Sequence, residues 1–355
     1  AFGNNGSFLY SAFYTFSNFD AISFFNELGL ETKVERGNRV FPKSDEANEV
    51  VTALVKFVKA KKVKIRLEAR VKQVLVENKS AAGVQLFSGE KIYSNHVILA
   101  VGGASYPGTG STGDGYDMAK TLGHEIIPIK PALIPLVTKE DWVKELQGLA
   151  LKNVELEIIG QKTKLFGEML FTHFGISGPI VLTLSNQVQE LLERNKQPIA
   201  MAIDLKPALT EEKLDLRLQR DFEKYQRKQL GNSLGELLPK ALIPVILKLA
   251  KLEESKFVHQ VTKEERRSLV TTLKSLPLTI TSTRPLSEAI VTAGGVSVKE
   301  INPRTMESKL IKGLYLAGEL IDIDGITGGF NLQAAFSTGF IAGMTAGQET
   351  AGKRG

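Results

Sequence analysis

Along residues 18–28 the apolar positions Ile22, Phe24, Phe25 and Leu28 recur at helical spacing, with Asn18 or Asp20 placed to cap the helix and Gly29 to end it. A hairpin is expected next. Val34 and Val40-Phe41 flank Arg36-Gly37-Asn38, Pro42 stops the second strand, and Ser44 is placed to cap a helix with the stripe Val50, Val51, Leu54, Val55 and Val58. Short strands are expected at Val63–Leu67, Arg70–Glu77, Gly83–Phe87 and Glu90–Tyr93. The nearly continuous apolar run His96–Val101, ending at Gly102-Gly103, fits a parallel strand covered on both faces.

Between Pro131 and Pro285 the pattern changes. Strands are expected early, at Val154–Ile159, Lys164–Phe166 and Pro198–Asp204, and helices later, at Glu211–Leu230, Ser233–Leu238, Ile243–Ala250 and Lys263–Leu273. Beyond Pro285 the chain returns to strand-then-helix alternation, with a strand at Gly313–Ala317, a loop over Gly318–Gly329 and a helix over Asn331–Ala346. The fold class expected is α/β (α+β overall), with a first domain interrupted by an insertion and closed by the C-terminus.

Composition narrows the chemistry. Hydrophobic residues make up 43% and charged residues 24% of 355, an ordinary globular balance. Without cysteine, these residues hold no disulfide, thiolate metal site or dithiol relay, which excludes flavin disulfide reductase chemistry here. His96, His124, His173 and His259 are scattered without ligand spacing, so no metal is expected. No apolar run approaches the ~20 residues of a membrane span, and the first residues lack a signal-peptide pattern; a cytoplasmic protein with no membrane partner is expected. The net charge of +6 and the basic stretch Glu211–Arg267 read as a solvated helical face, because aromatic interleaving there is sparse. A nucleic-acid partner is not expected on that ground.

Several segments carry candidate chemistry. Gly108-Thr-Gly-Ser-Thr-Gly113 spells G-x-G-x-x-G, but Ser105-Tyr106-Pro107 separates it from the strand end, so a glycine-rich turn near a ligand suits it better than a complete dinucleotide fingerprint. Leu314–Ala317 ending in Gly318-Glu319 is a buried strand whose carboxyl end is a place for ligands. Gly328-Gly329-Phe330-Asn331 opens a helix whose free amides favour negative charge, such as the pyrimidine edge of a reduced flavin. His173, in Phe171-Thr-His-Phe-Gly-Ile-Ser-Gly-Pro179, could move protons near neutral pH or be held in a turn. Val291-Thr-Ala-Gly-Gly-Val296 is either a loop facing substrate or a bulged strand.

Taken together, Ala100–Pro107 with Thr109–Tyr116, Phe171–Pro179, Thr292–Val296, Thr305–Lys309, and Ala317-Gly-Glu319 with Gly328–Gln333 resemble the BaiN/YhiN-type flavoproteins, NAD(P)/FAD-dependent oxidoreductases that include aminoacetone oxidase. The match runs in order through essentially the whole chain. The resemblance implies a discontinuous FAD-binding Rossmann-like domain over 1–130 and 285–355. It also implies a β-barrel-like subdomain over 131–206 with 274–284, and a helical subdomain over 207–273. It places Val71 on the adenine side of FAD, Ala100, Gly102 and Gly103 beside the adenosine, and Gly318 and Glu319 along the ribityl-pyrophosphate. Gly328, Gly329, Phe330, Asn331 and Leu332 would hold the flavin ring, with Thr172 and Thr292 toward substrate and His173 in the catalytic role. Families of this kind start with a strand, glycine turn and helix that would lie upstream of Ala1; weak FAD binding is expected of a chain that truly starts there. The expected activity is hydride transfer between a small organic substrate and FAD, with NAD(P)H as a transient donor or oxygen as acceptor. The alternative is an FAD-linked RNA-associated or binding protein without its own small-molecule turnover.

Overall fold

The computed structural model describes residues 1–3, 5–35 and 37–352. Its contacts divide the chain into two compact units, residues 1–132 with 289–355 and residues 133–288.

In the first unit, Val97–Leu99 and Leu314–Leu316 pair in parallel, Val97 opposite Leu314 and Leu99 opposite Leu316. Leu314, Tyr315 and Leu316 are buried, as apolar residues in the centre of an α/β layer must be. The expectation of a strand covered on both faces is corrected for the partner: Val97 and Leu99 are buried, but Ile98 between them is 40% exposed. The pleat sends alternate side chains to opposite faces, and among the described residues only one of those faces is packed. The helix Phe330–Gly352 lies along this pair. Its small residues Ala334, Ser337, Ala342 and Ala346 are buried, and such residues permit close approach of backbone.

Local chemistry explains most element ends. Asn18–Glu27 is helical, but its cap is Ser17: the Ser17 Oγ accepts the Asp20 amide and the Asp20 carboxylate accepts the Ser17 amide, a reciprocal capping box. The hairpin pairs Thr32–Glu35 with Arg39–Pro42; Arg36, expected in its turn, lies outside the described residues. The next helix starts later than expected, at Ala47, with Glu46 rather than Ser44 at its N-cap. Val71–Glu77, Ser80–Leu86 and Lys91–Tyr93 form an antiparallel sheet. Val63–Leu67 forms no strand. Its alternating pattern offers Val63, Ile65 and Leu67, yet these are 49–84% exposed, and no ladder partner lies beside them among the described residues.

The second unit is a closed six-stranded barrel, the β-barrel expected inside the Rossmann-type fold. Its order is Lys164–Phe171, Gly175–Ser177, Leu136–Thr138, Leu276–Thr283, Ile199–Asp204 and Ala150–Ile158, every described pairing antiparallel. Closure removes the unpaired edges that an open sheet would expose. Leu136, Leu156, Ile158, Phe171, Ile176 and Ile203 are fully buried in its core; Leu156→Ala would cost about 2–5 kcal/mol. The 17-residue helix Pro179–Asn195, not among the elements expected from the pattern, starts with Pro179 in its first turn and buries Ile180, Val181, Leu184 and Val188. Helices Glu211–Lys224, Ile243–Leu249 and Lys263–Lys274 join the same core, the last opened by a Thr262–Glu265 capping box. Ser233–Leu238, expected as a helix, is a series of turns, and the helix from Glu211 ends at Lys224 rather than Leu230.

Candidate functional site

The two parallel strands deliver Val101-Gly102-Gly103 and Ala317-Gly318-Glu319 to one end of the first unit, the carboxyl end at which open α/β sheets bind ligands. The loops there are joined through one side chain. Glu319 Oε1 accepts the Thr292 amide at 2.6 Å and the Ser105 hydroxyl at 3.2 Å. Thr292 Oγ1 in turn accepts the amides of Ala104 at 2.9 Å and Ser105 at 3.1 Å. Thr292 is fully buried and Ser105 is 4% exposed, so these bonds are shielded from water. Thr292 thus fastens the Gly102–Ser105 turn from within; it sits on a strand, Val291–Val296, bulged between Ala293 and Gly295.

Gly103 shows why this junction takes no side chain. A Cβ there would lie 2.5 Å from Thr292 Oγ1 and 2.8 Å from the Glu319 carboxylate. The Tyr116 hydroxyl closes the other side, 3.4 Å from the Glu319 carbonyl oxygen, and burial followed by the Glu319 charge pushes its pKa upward. Ser105 and Tyr116 lie inside the motif segments Ala100–Pro107 and Thr109–Tyr116 but carry no expected site role, since nothing local marks a serine as a partner for an acid 214 residues away.

The second wall is the start of the C-terminal helix. The Asn331 side chain is committed to its own loop: Oδ1 accepts the Gly325 amide at 2.8 Å and Nδ2 donates to the Gly325 carbonyl at 2.9 Å. Asp322 accepts from Asn5 Nδ2 at 2.8 Å, and burial raises the pKa of its carboxyl. The Gly318 amide donates to Thr338 Oγ1 at 3.0 Å. The loop is therefore held at both ends, while the helix's first amides precede any intrahelical acceptor.

The free first-turn amides and the open backbone before them leave room for a negatively charged group. Around Gly329, at φ +91°, no heavy atom lies within 4 Å of where a Cβ would stand, so backbone can approach a ligand; Phe330 and Leu332 are exposed beside it. The structure brings Gly102, Gly103, Gly318 and Glu319 together. Ala100 is exposed on the preceding strand end. Val71 opens a strand next to Arg70, which pairs with Asp114 at 2.8 Å directly after the glycine-rich turn.

His173 and Thr172 belong to the second unit. They lie in the turn between barrel strands Lys164–Phe171 and Gly175–Ser177, where the Thr172 amide donates to the Gly175 carbonyl at 2.8 Å and Thr172 Oγ1 accepts the Gly175 amide at 3.1 Å. His173 is exposed, with its ring 4.9 Å from that of Phe174; Arg284 stacks on Phe174 at 4.5 Å and is gripped by Glu288.

The family described as HI0933-like protein Rossmann domain matches residues 1–345. The chain belongs to the HI0933-like family. It is a flavoprotein oxidoreductase family, and FAD is its cofactor. Curated relatives include the 3-dehydro-bile acid delta(4,6)-reductase of Clostridium scindens, 32% identical over 98% of this chain and 84% of its own length. The ribosomal RNA dihydrouridine synthases of Escherichia coli and Haemophilus influenzae are 30% and 29% identical, over 94% and 96% of this chain and 80% and 82% of theirs. Among solved structures, FrdA of the E. coli quinol fumarate reductase aligns at TM-score 0.48 and 17% identity, covering 97% of this chain and 57% of its own. The chain thus spans little more than half the length of that structure. No helix among the described residues is long and apolar enough to cross a membrane.

Proposed function

We propose that this member of the HI0933-like family is an FAD-dependent reductase of carbon–carbon double bonds conjugated to a carbonyl. The observation that carries the reading is the chemistry shared by its relatives' names. Reducing a 3-oxo-delta(4,6) bile acid and converting uridine to dihydrouridine both add a hydride equivalent and a proton across an alkene activated by a carbonyl. Bound FAD supplies the hydride equivalent. The first turn of the helix Phe330–Gly352 lowers the energy of negative charge on the flavin's pyrimidine edge through its amides and dipole. Gly102, Gly103 and Gly318 admit the cofactor's backbone-facing parts, and Glu319 with Thr292 keeps that turn in place. Val71 and Ala100 serve the adenosine end.

His173 is the proposed proton donor to the substrate carbon next to the carbonyl, being an exposed imidazole, a group that can hold and release a proton. Thr172 holds its turn. NAD(P)H is the proposed electron donor, bound transiently, since no second fingerprint offers it a domain of its own. Relatives named as enzymes favour turnover over the binding-protein alternative. Rapid mixing tests the reading: the FAD-loaded protein is reduced anaerobically with NADPH or NADH, then mixed with 2-cyclohexen-1-one. Bleaching by a nicotinamide followed by recovery of the 450-nm band on enone addition supports it. Reduction by amines alone, with recovery only on oxygen, would replace it with an oxidase.

A further inference from the structure

Arg284 stands where the barrel strand Leu276–Thr283 runs out, and its backbone amide donates to the Pro135 carbonyl at 3.2 Å. Its side chain is held on two sides. Nε donates to one Glu288 carboxylate oxygen at 2.8 Å and Nη2 to the other at 2.5 Å, a bidentate grip that fixes the plane of the guanidinium. The Phe174 ring lies against it, with Cζ 4.5 Å from the ring centre. These contacts leave Nη1 with no partner among the described residues, on a side chain that is 31% exposed. The other polar neighbour of Phe174 is His173, whose imidazole stands 4.9 Å from the same ring at 79°. The hydrogen bond from Arg284 first, and the charge of a protonated His173 after it, hold the Glu288 carboxyl below its usual range. An acid and a cation with a free N–H thus meet on one aromatic platform, and all four residues belong to the second unit. Exposed ion pairs contribute little to stability, so the fixed geometry of this one gains its meaning from what the remaining donor can face.

We propose that Arg284 binds the carbonyl oxygen of the conjugated substrate through Nη1, with Phe174 and Glu288 holding its guanidinium beside His173. The proposal rests on the reductase reading and adds to it the group that stabilises charge. A hydride equivalent from the reduced cofactor bonds to the alkene carbon farther from the carbonyl. The alkene's electron pair moves toward the carbonyl, whose oxygen takes up the negative charge, and the Nη1 hydrogens bond to that oxygen without being transferred. When the carbonyl re-forms, the pair returns to the nearer carbon, which takes the proton from His173 and leaves the imidazole neutral. A fixed cation aimed at an oxygen that becomes charged stabilises the transition state more than the ground state.

Two readouts on the FAD-loaded protein test it. In stopped-flow mixing of dithionite-reduced protein with 2-cyclohexen-1-one, Arg284→Met is expected to slow reoxidation by about 100- to 1,000-fold, the scale for one lost oxyanion donor, with reduction by NADPH within a few-fold of wild type. Arg284→Lys, a cation without the planar fork, recovers part of the loss. The second probe is 4-nitrophenol, whose anion mimics the charged oxygen: wild type binds the phenolate in preference to the phenol, read from difference absorbance, and Arg284→Met does not. Reoxidation within a few-fold of wild type, equal slowing of both half-reactions, or an unchanged phenolate preference overturns the assignment. If Arg284→Met fails to fold, Arg284→Lys and Phe174→Leu decide: slowing confined to reoxidation supports the contact, and no slowing overturns it. A wild type that holds the phenolate through Arg284 yet never reoxidises with the enone sinks the reductase reading alone and leaves the oxyanion contact standing.

Discussion

The Glu319 carboxylate accepts the Thr292 backbone amide at 2.6 Å, across 27 residues of chain, and so ties a bulged strand to the end of the parallel pair. An ionised acceptor makes such a bond stronger than a neutral one. Glu319→Ala removes the acceptor and leaves the amide of a fully buried residue unpaired, at a cost of about 1.5–3 kcal/mol. If that geometry holds the flavin-facing turn, Kd for FAD rises about 10- to 100-fold, as read by quenching of flavin fluorescence. Glu319→Gln, which keeps an acceptor oxygen, loses less.

Thr292 accepts two amides through one oxygen. Thr292→Val, almost the same shape, strands both, and the expected loss of stability is about 2–4 kcal/mol in a urea titration. Thr292→Ser should stay within about 1 kcal/mol. Equal losses for Ser and Val would mean that packing, rather than hydrogen bonding, is the source.

His124 is buried between Glu300 and Ser308, with Nδ1 3.0 Å from the Glu300 carboxylate and Nε2 2.9 Å from Ser308 Oγ. Ser308 Oγ also accepts the amides of Leu310 and Ile311. Burial lowers the pKa of His124 and outweighs the opposing pull of Glu300. The folded protein therefore binds fewer protons at this site than the unfolded chain once pH drops below the unfolded value of about 6.5. Stability should be flat above that pH from this group and fall as pH decreases through it. His124→Gln should flatten this part of a melting-temperature profile taken from pH 8 to 5, a change that a His124 remaining charged in the fold would not produce.

His173→Gln should slow enone-dependent flavin reoxidation by about 100-fold or more, the usual scale for a general acid, while leaving reduction by NADPH within a few-fold. Stopped-flow traces separate the two half-reactions. An equal slowing of both would assign His173 to binding instead.

Asn331 spends its whole amide on Gly325. Asn331→Ala should loosen the loop before the C-terminal helix, costing about 1–3 kcal/mol for the unpaired groups. Hydrogen exchange would show it as faster exchange over residues 322–329, with the barrel unchanged.

Much of this molecule was written locally. The run around Ile98, the strand at Leu314–Leu316, the glycines at 102–103, 318 and 328–329, and the caps near residues 17–20 and 262–265 follow from side-chain size, backbone freedom and hydrogen-bonding groups acting over a few residues. Such signals survive in one dimension because their causes are short-ranged. The pattern failed where a partner was required: Val63–Leu67 alternates but has no ladder to join. What the sequence determined by itself was the family's set of motifs, the strand-and-glycine grammar at the carboxyl ends of the parallel pair and the lack of cysteine among these residues. Only the tertiary structure decided that Thr292 is buried as a fastener, that Glu319 reaches Ser105, and that His124 meets Ser308. Those pairings depend on distances in space between residues up to 214 positions apart, and chain closure over such separations leaves no trace in local composition.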